Sequence, residues 1–227
     1  LAQLPNFVHD ILKADAATLT LVLVIFSLGI AAGGLLNNRL LRGRLEAVYV
    51  PVAVLGISLF SFDLYLASAV ATGHLSFRAG LDIGLIALCG GLFVVPLEAI
   101  LQHGSDKRVR SRVMALNAVM NALFIVASSL FSMALIAAGL DVRALFAAFA
   151  AANLAVAFYI CRLMPDYLIK TVLQGALKAL YRVEVRGLEN YPRAGERAVI
   201  VANHVSFIDP PILAAFLPGR PMFAVNS

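Results

Sequence analysis

The residues with the clearest chemical potential in this sequence are His204 and Asp209, which stand five positions apart in the segment Asn203-His204-Val205-Ser206-Phe207-Ile208-Asp209-Pro210. A histidine titrates near neutral pH and can take a proton from a hydroxyl group, and a nearby carboxylate can orient the imidazole and stabilise its charged form. The spacing alone is weak evidence, because an acid often follows a histidine by chance. The alternative is a structural histidine beside a helix-capping aspartate.

The surroundings of this pair strengthen the chemical interpretation. The apolar run Ala198–Ala202 predicts a buried strand that delivers Asn203 and His204 at its carboxyl end, where α/β domains commonly place catalytic groups. Ser206 is not inside a Gly-x-Ser-x-Gly elbow, so we expect it to form local hydrogen bonds and not to carry an acyl group. Only two candidate ligands lie close together, so no metal site is predicted.

The rest of the composition is that of a membrane protein, with 61% hydrophobic and 14% charged residues. A bilayer core needs about 20 apolar residues in a helix, and several stretches reach that length. Cys89 and Cys161 lie inside apolar runs, which indicates packing residues and neither a disulfide framework nor a zinc site. We predict five transmembrane helices, over about 18–37, 46–70, 81–101, 113–138 and 144–162.

The fold class that follows is an all-α polytopic membrane bundle over residues 1–164, followed by the start of an α/β domain over residues 183–227. Basic residues are concentrated in the first and third loops between the apolar stretches, at 38–45 and 102–112. Lys and Arg accumulate on the cytoplasmic side, so these loops and everything after Arg162 are predicted to be cytoplasmic. Topology therefore explains the net charge of +5 better than binding to nucleic acid does.

Polar residues inside the predicted helices are candidates for a transport path, because a polar group in hydrocarbon usually faces a partner or a watery cavity. Asp63 is the clearest case, and its alternative role is a structural hydrogen bond. Asn117 and Asn121 stand four positions apart and so share one helix face, while Glu98 follows Pro96 near the inner end of the third helix.

Small residues recur at the spacing of closely packed membrane helices. Gly29 and Gly33 stand four positions apart, as do Gly80 and Gly84. This spacing lets two backbones approach closely in lipid, and it is also found in polytopic bundles of every kind.

After Pro165 the chain changes character. We predict an amphipathic helix over 165–182 that lies in the headgroup layer, with its basic residues near anionic lipid. A soluble helix packed on its own domain is the alternative. The predicted apolar stripe consists of Leu168, Val172, Leu173, Ala176, Leu177 and Leu180.

The membrane part resembles the major facilitator transporters. The segment from Gly33 to Arg44 is similar to their Gly-rich helix end and basic loop, and the run from Gly90 to Gln102 resembles the bacterial lysophospholipid transporter branch. The resemblance covers about residues 1–164 and implies a C-terminal half, whose partner half would lie upstream. Asn38 stands where the superfamily's loop commonly has Asp, which leaves the charge pairing of that loop open.

The cytoplasmic part, about residues 166–227, resembles the glycerolipid acyltransferases. The motif from Asn203 to Pro210 matches their first motif, and the stretches from Tyr181 to Pro192 and from Arg220 to Val225 are similar to the 2-acylglycerophosphoethanolamine acyltransferase branch. The family's later motifs have no counterpart before Ser227, and the chain opens at Leu1 without a signal sequence, so we expect further protein on both sides.

On this resemblance His204 is the general base, Asp209 orients it, and Asn203 and Ser206 support the substrate site. The substrate's own hydroxyl is the nucleophile. The acyl donor would be a thioester of acyl carrier protein or coenzyme A, and no bound cofactor is implied. Acyl carrier protein is therefore a candidate partner, together with membrane lipids.

The two resemblances together imply a fusion in the bacterial inner membrane. Its transporter would move lysophospholipid, chiefly lysophosphatidylethanolamine, to the inner leaflet, and its cytoplasmic acyltransferase would restore the missing chain. Two alternatives stay open: a transporter with a degenerate acyltransferase tail, and an acyltransferase whose helices only anchor it.

Overall fold

The computed structural model describes residues 4–41, 46–69, 74–181, 183–187, 199–201, 203 and 206–217. The chain divides into two compact units, Leu1–Leu163 and Met164–Ser227. The first unit contains α1 (Leu4–Asn6), a π-helical segment (Phe7–Ile11), α2 (Ala16–Leu41), α3 (Val50–Ala67), α4 (Phe77–Gly104), α5 (Arg110–Ala137) and α6 (Val142–Leu163). The second contains α7 (Pro165–Leu180) and α8 (Asp209–Phe216).

Five of these helices, α2 to α6, are long and apolar enough to cross a membrane. The prediction of a multi-pass membrane protein is confirmed at this level. Two helix starts differ from the prediction by four residues. Helix α3 begins at Val50 and not at 46, with Pro51 in its first turn. The Ser76 hydroxyl accepts a hydrogen bond from the Ala79 N–H at 3.2 Å, so α4 begins at Phe77 and not near residue 81. Arg78, which lies between the predicted helices 46–70 and 81–101, is therefore part of α4.

The closest packing in the bundle joins α2 and α4 through glycines. A Cβ atom at Gly29 would lie 2.7 Å from the Gly84 carbonyl oxygen, and one at Gly33 would collide with the Leu88 carbonyl oxygen. The predicted close approach at the Gly29 and Gly33 spacing is thus present. Since Gly29 meets Ala87 and Gly34 meets Val95, the two helices run in the same direction.

Helices α3 and α6 are joined by polar contacts. The Asn153 amide donates hydrogen bonds to the Val54 carbonyl and to the Ser58 hydroxyl, both at 2.9 Å. At the other end of the pair, Arg143 Nε donates to the Tyr65 carbonyl at 2.9 Å, and its guanidinium lies 4.5 Å from the Tyr65 ring centroid. These bonds satisfy side chains that would be costly to leave unpaired in an apolar setting.

The N-terminal segment covers one end of the bundle. Phe7 is fully buried and packs edge-on against Phe146, with 5.1 Å between ring centroids. Asp15 then begins α2, since its carboxylate accepts hydrogen bonds from the Thr18 N–H at 3.0 Å and the Thr18 hydroxyl at 2.8 Å. These bonds hold the pKa of Asp15 below its ordinary value.

The second unit pairs α7 with α8. Gln174 Nε2 donates to the Ala215 carbonyl at 2.6 Å and Lys170 Nζ to the Leu217 carbonyl at 2.5 Å, so polar side chains of α7 bind the carbonyl end of α8. Helix α7 buries Leu177 and leaves Val172 and Leu180 exposed.

The strand predicted over 198–202 is not shown. Residues 199–201 lie outside regular secondary structure, the side chains of Val199 and Val201 are exposed, and the described part of the chain contains no strand. A strand is held by hydrogen bonds to a neighbouring strand, and an apolar run alone does not supply one. Among its described residues the second unit therefore shows the helices α7 and α8, and the predicted α/β class is not shown.

Candidate functional site

The described part of the His-x-x-x-x-Asp motif is a helix start. Asp209 Oδ2 accepts a hydrogen bond from the Ser206 N–H at 2.9 Å, and the Ser206 hydroxyl accepts one from the Ile208 N–H at 3.3 Å. These two bonds form a tight turn just before α8, whose N-cap residue is Ile208. Pro210 follows at the first turn of α8, where a missing N–H costs nothing.

The bond from the Ser206 N–H fixes the direction of the Asp209 carboxyl group. One of its oxygens is bound to the backbone at Ser206, so the side chain cannot swing freely around its χ angles. Asp209 is the first residue of α8, and the N-cap position, which the alternative interpretation gives to Asp209, is occupied by Ile208. A carboxylate held by the Ser206 N–H can also orient a histidine, so this bond is compatible with the predicted catalytic role.

His204 lies outside the described residues, and its relation to Asp209 stays a prediction. Asn203 is described and exposed. Ser206 forms the local bond to Ile208, which is the kind of contact the sequence analysis expected of it. The supporting roles of Asn203 and Ser206 in acyl transfer also stay predictions.

Two of the predicted transport-path residues line one cavity between α4 and α5. Asn117 and Asn121 lie on α5 and face Glu98 of α4 across this cavity of about 800 Å³. Its volume is within the range of small-molecule sites. The remaining lining is mostly apolar: Phe93, Val94, Leu97, Leu101, Phe124, Ile125 and Ser128.

Asp63 does not line that cavity. It lies on α3, where its carboxylate accepts hydrogen bonds from Arg78 Nε at 3.1 Å and Arg78 Nη2 at 2.5 Å. The structure thus separates Asp63 from Asn117 and Asn121. It also brings in Asp82, a buried residue of α4 beside this ion pair that the sequence analysis did not single out. Its signal was present, because a carboxylate near the start of an apolar stretch is unusual.

Neither cysteine belongs to a metal centre in the described residues. Cys89 is buried, Cys161 is partly buried, and both are free. No group of three or more His, Cys, Asp or Glu residues in the described ranges is arranged to hold a metal ion. That the protein has no metal site stays a prediction.

Residues 182–227 match the family described as Acyltransferase. This range includes the motif from Asn203 to Pro210 and the whole of α8. No solved structure shows a significant match to the chain. The five apolar helices and the family match together indicate a membrane-associated acyltransferase.

Proposed function

We propose that this protein moves lysophospholipid across a bacterial inner membrane and reacylates it on the cytoplasmic side. The observation that carries the enzymatic half is the acyltransferase match over residues 182–227, which contains a His-x-x-x-x-Asp motif. The transport half is supported by the cavity between α4 and α5 and by the resemblance of residues 1–164 to lysophospholipid transporters.

In the proposed reaction His204 takes the proton from a hydroxyl group of the lysophospholipid glycerol. The hydroxyl oxygen attacks the carbonyl carbon of the acyl thioester, the carbon–sulfur bond breaks, and the thiol leaves with the proton from the imidazolium. Asp209, held by the Ser206 N–H, keeps the imidazole oriented and stabilises its charged form.

The cavity between α4 and α5 has the chemistry of a site for a single-chain lipid. Glu98, Asn117 and Asn121 can bind the headgroup, with the Glu98 carboxylate facing the ammonium group of an ethanolamine, while Phe93 and Phe124 contact the chain. Helix α5 buries only Ser132 among its described side chains, and exposed apolar residues follow its length. A lipid could therefore enter this cavity from the side.

Helix α7 supports a position of the acyltransferase region at the membrane surface. Its exposed face includes Ile169, Val172 and Leu180, whereas Lys170 and Gln174 hold the end of α8. A helix with an exposed apolar face and basic flanks partitions into the headgroup layer. We propose that α7 keeps α8, and with it Asp209, near lipid substrates.

The orientation is tested by cysteine labelling with an impermeant thiol reagent in intact cells. Lys107→Cys and Asn190→Cys should be shielded, and Thr72→Cys should react, because basic loops are retained in the cytoplasm. Lys107 is exposed, whereas Thr72 and Asn190 lie outside the described residues. Permeabilised cells, in which all three variants should react, are the control. Labelling of Asn190→Cys in intact cells would overturn the orientation.

The transport site is tested by Glu98→Gln in the intact protein. Hydrogen bonds to charged groups contribute about 1.5–3 kcal/mol, so the apparent affinity for lysophosphatidylethanolamine uptake should fall about tenfold or more. Uptake of lysophosphatidylglycerol, which has no ammonium group, should change little. Acyl transfer in detergent should be retained.

Gln102→Ala is the matched control, because Gln102 is exposed one turn further along α4 and is not part of the cavity lining. Equal uptake by wild type and Glu98→Gln would show that the cavity is not part of the transport path. Absence of uptake by the wild-type protein, with acyl transfer intact, would instead favour an acyltransferase that is only anchored by its helices.

A further inference from the structure

The most unusual buried polar group in the bundle is Asp82. It lies in the second turn of α4, its side chain is only 3% exposed, and its Oδ2 atom has no hydrogen-bond partner among the described residues. Ala79 and Ile83, beside it on the helix, pack in the apolar core with Val22 and Leu64. A carboxylate in such a place is costly unless its charge is balanced.

The charged groups that interact with Asp82 include Asp63 and Arg78. Asp63 is already bound by both Nε and Nη2 of Arg78. Arg78 stands four positions before Asp82 and so on the same face of α4. The Asp63 carboxylate also lies close enough to that of Asp82 for the two to interact directly.

The charged and titratable groups of the other elements around this cluster have positions of their own. Arg143 of α6 donates to the Tyr65 carbonyl and lies over the Tyr65 ring, and His74, before the start of α4, is exposed. Helix α2, which packs along α4, has no Asp, Glu, Lys, Arg or His between Ala16 and Asn38. In the N-terminal segment His9 pairs with Asp10 at 2.7 Å on the surface, Lys13 is exposed, and Asp15 is bound to Thr18. Glu98 lies in the far half of α4, and the basic residues in the first turn of α5 follow the end of α4 in the chain.

Within the cluster of Asp63, Arg78 and Asp82, two carboxylates share one guanidinium. If Asp63 and Arg78 neutralise each other, an ionised Asp82 leaves one uncompensated negative charge in an apolar environment. One proton on Asp82 removes that charge, and it also supplies an O–H donor that the neighbouring Asp63 carboxylate can accept.

We infer that Asp82, together with Asp63 and Arg78, forms a proton-binding site inside the membrane bundle. The step is the addition of one proton to the Asp82 carboxylate and its later release as H⁺, with no other bond formed or broken. Release would leave two carboxylates side by side across the α3–α4 contact, held by a single arginine. The site therefore links the protonation state to the packing of α3 on α4.

The inference is tested by infrared difference spectroscopy on the intact protein in lipid bilayers, recorded between acidic and alkaline pH. A protonated carboxyl group gives a C=O stretching band, and part of this band should be lost in Asp82→Asn. In Asp63→Asn the band should appear only at a lower pH than in wild type, because Asp82 is then the only carboxylate beside Arg78 and its ionised form balances the guanidinium. Glu98→Gln, another carboxyl group of α4, is the matched control and should keep the Asp82 contribution.

Each variant is first compared with wild type by gel filtration and by its far-ultraviolet circular dichroism. Asp82→Asn is nearly isosteric, and the asparagine should fold because it places no charge in the core. An unchanged C=O band in folded Asp82→Asn would overturn the proton site. A band that responds to sodium at constant pH would assign the site to a metal cation and likewise overturn it.

A role for this site in driving lipid movement rests on the proposed function, and the two can fail separately. If the wild-type protein takes up lysophosphatidylethanolamine and Asp82→Asn shows an unchanged C=O band, the proton site is wrong and the transport function stands. If Asp82→Asn loses the C=O band and the wild-type protein shows no uptake, the proton site stands and the transport function is wrong.

Discussion

Replacement of His204 by alanine is expected to abolish acyl transfer to lysophosphatidylethanolamine in the intact protein. A positioned general base contributes about 10²–10⁴ in rate, and its loss also leaves the bound hydroxyl group without a proton acceptor. Lipid uptake by the bundle should be largely preserved, because the motif lies in the second compact unit and the cavity between α4 and α5 lies in the first.

Asp209→Asn should approach the severity of His204→Ala. The amide oxygen of an asparagine can still accept the Ser206 N–H, so the turn before α8 and the start of α8 should be kept. The second carboxylate oxygen of Asp209, a charged acceptor, is replaced by an amide nitrogen, which is a donor. The imidazole would then settle in the wrong tautomer, a change that costs about 10⁴ in serine proteases.

Ser206→Ala separates the turn before α8 from catalysis. It removes the hydroxyl group that accepts the Ile208 N–H, a loss of about 1 kcal/mol for one hydrogen bond, and the proposed mechanism gives Ser206 no covalent role. Its acyl transfer rate should therefore stay within a few-fold of wild type. The assay is transfer of a radiolabelled acyl chain by purified variants that elute as folded protein. Near-normal turnover by His204→Ala, or an acyl group trapped on Ser206, would defeat the mechanism.

The transmembrane helices could be predicted from the sequence because length and hydrophobicity are local properties. Residues 113–138 were predicted as a helix, and α5 spans Arg110–Ala137. The close approach at Gly29 and Gly33 was also readable, since small residues four positions apart have one common structural use. The start of α4 was placed four residues late because the hydropathy pattern does not register a serine cap such as Ser76.

The partners of polar residues could not be predicted in the same way. Asp63 was recognised as unusual, but its pairing with Arg78 depends on how α3 and α4 are packed. A carboxylate near the start of an apolar stretch is unusual, but the burial of Asp82 depends on how α4 packs against its neighbours, which the sequence does not give. The bonds that join Ser206 to Ile208 and Asp209 could not be assigned from the spacing, because a helix cap and a catalytic pair both fit these residues.

The second large effect is expected in the contact of α2 with α4. Gly91 is buried, and a Cβ atom there would collide with the Ile30 carbonyl oxygen and lie 3.0 Å from the Gly34 nitrogen. Both are backbone atoms, so no side chain can rotate away to make room. Gly91→Ala should therefore force the two helices apart and destabilise the bundle by about 1–3 kcal/mol, the usual cost of overpacking.

Gly90→Ala is the control that isolates this contact. Gly90 is the preceding residue of the same helix, and a Cβ atom there meets nothing within 4 Å. Alanine is favoured over glycine inside a helix by about 1 kcal/mol, so both substitutions gain the same propensity term and only Gly91→Ala adds a collision. Thermal unfolding in one detergent should then give a lower Tm for Gly91→Ala than for wild type and an equal or higher Tm for Gly90→Ala. Equal Tm values for the two variants would show that α2 and α4 are not in the close contact described, since the difference between neighbouring glycines arises only from the backbone of α2.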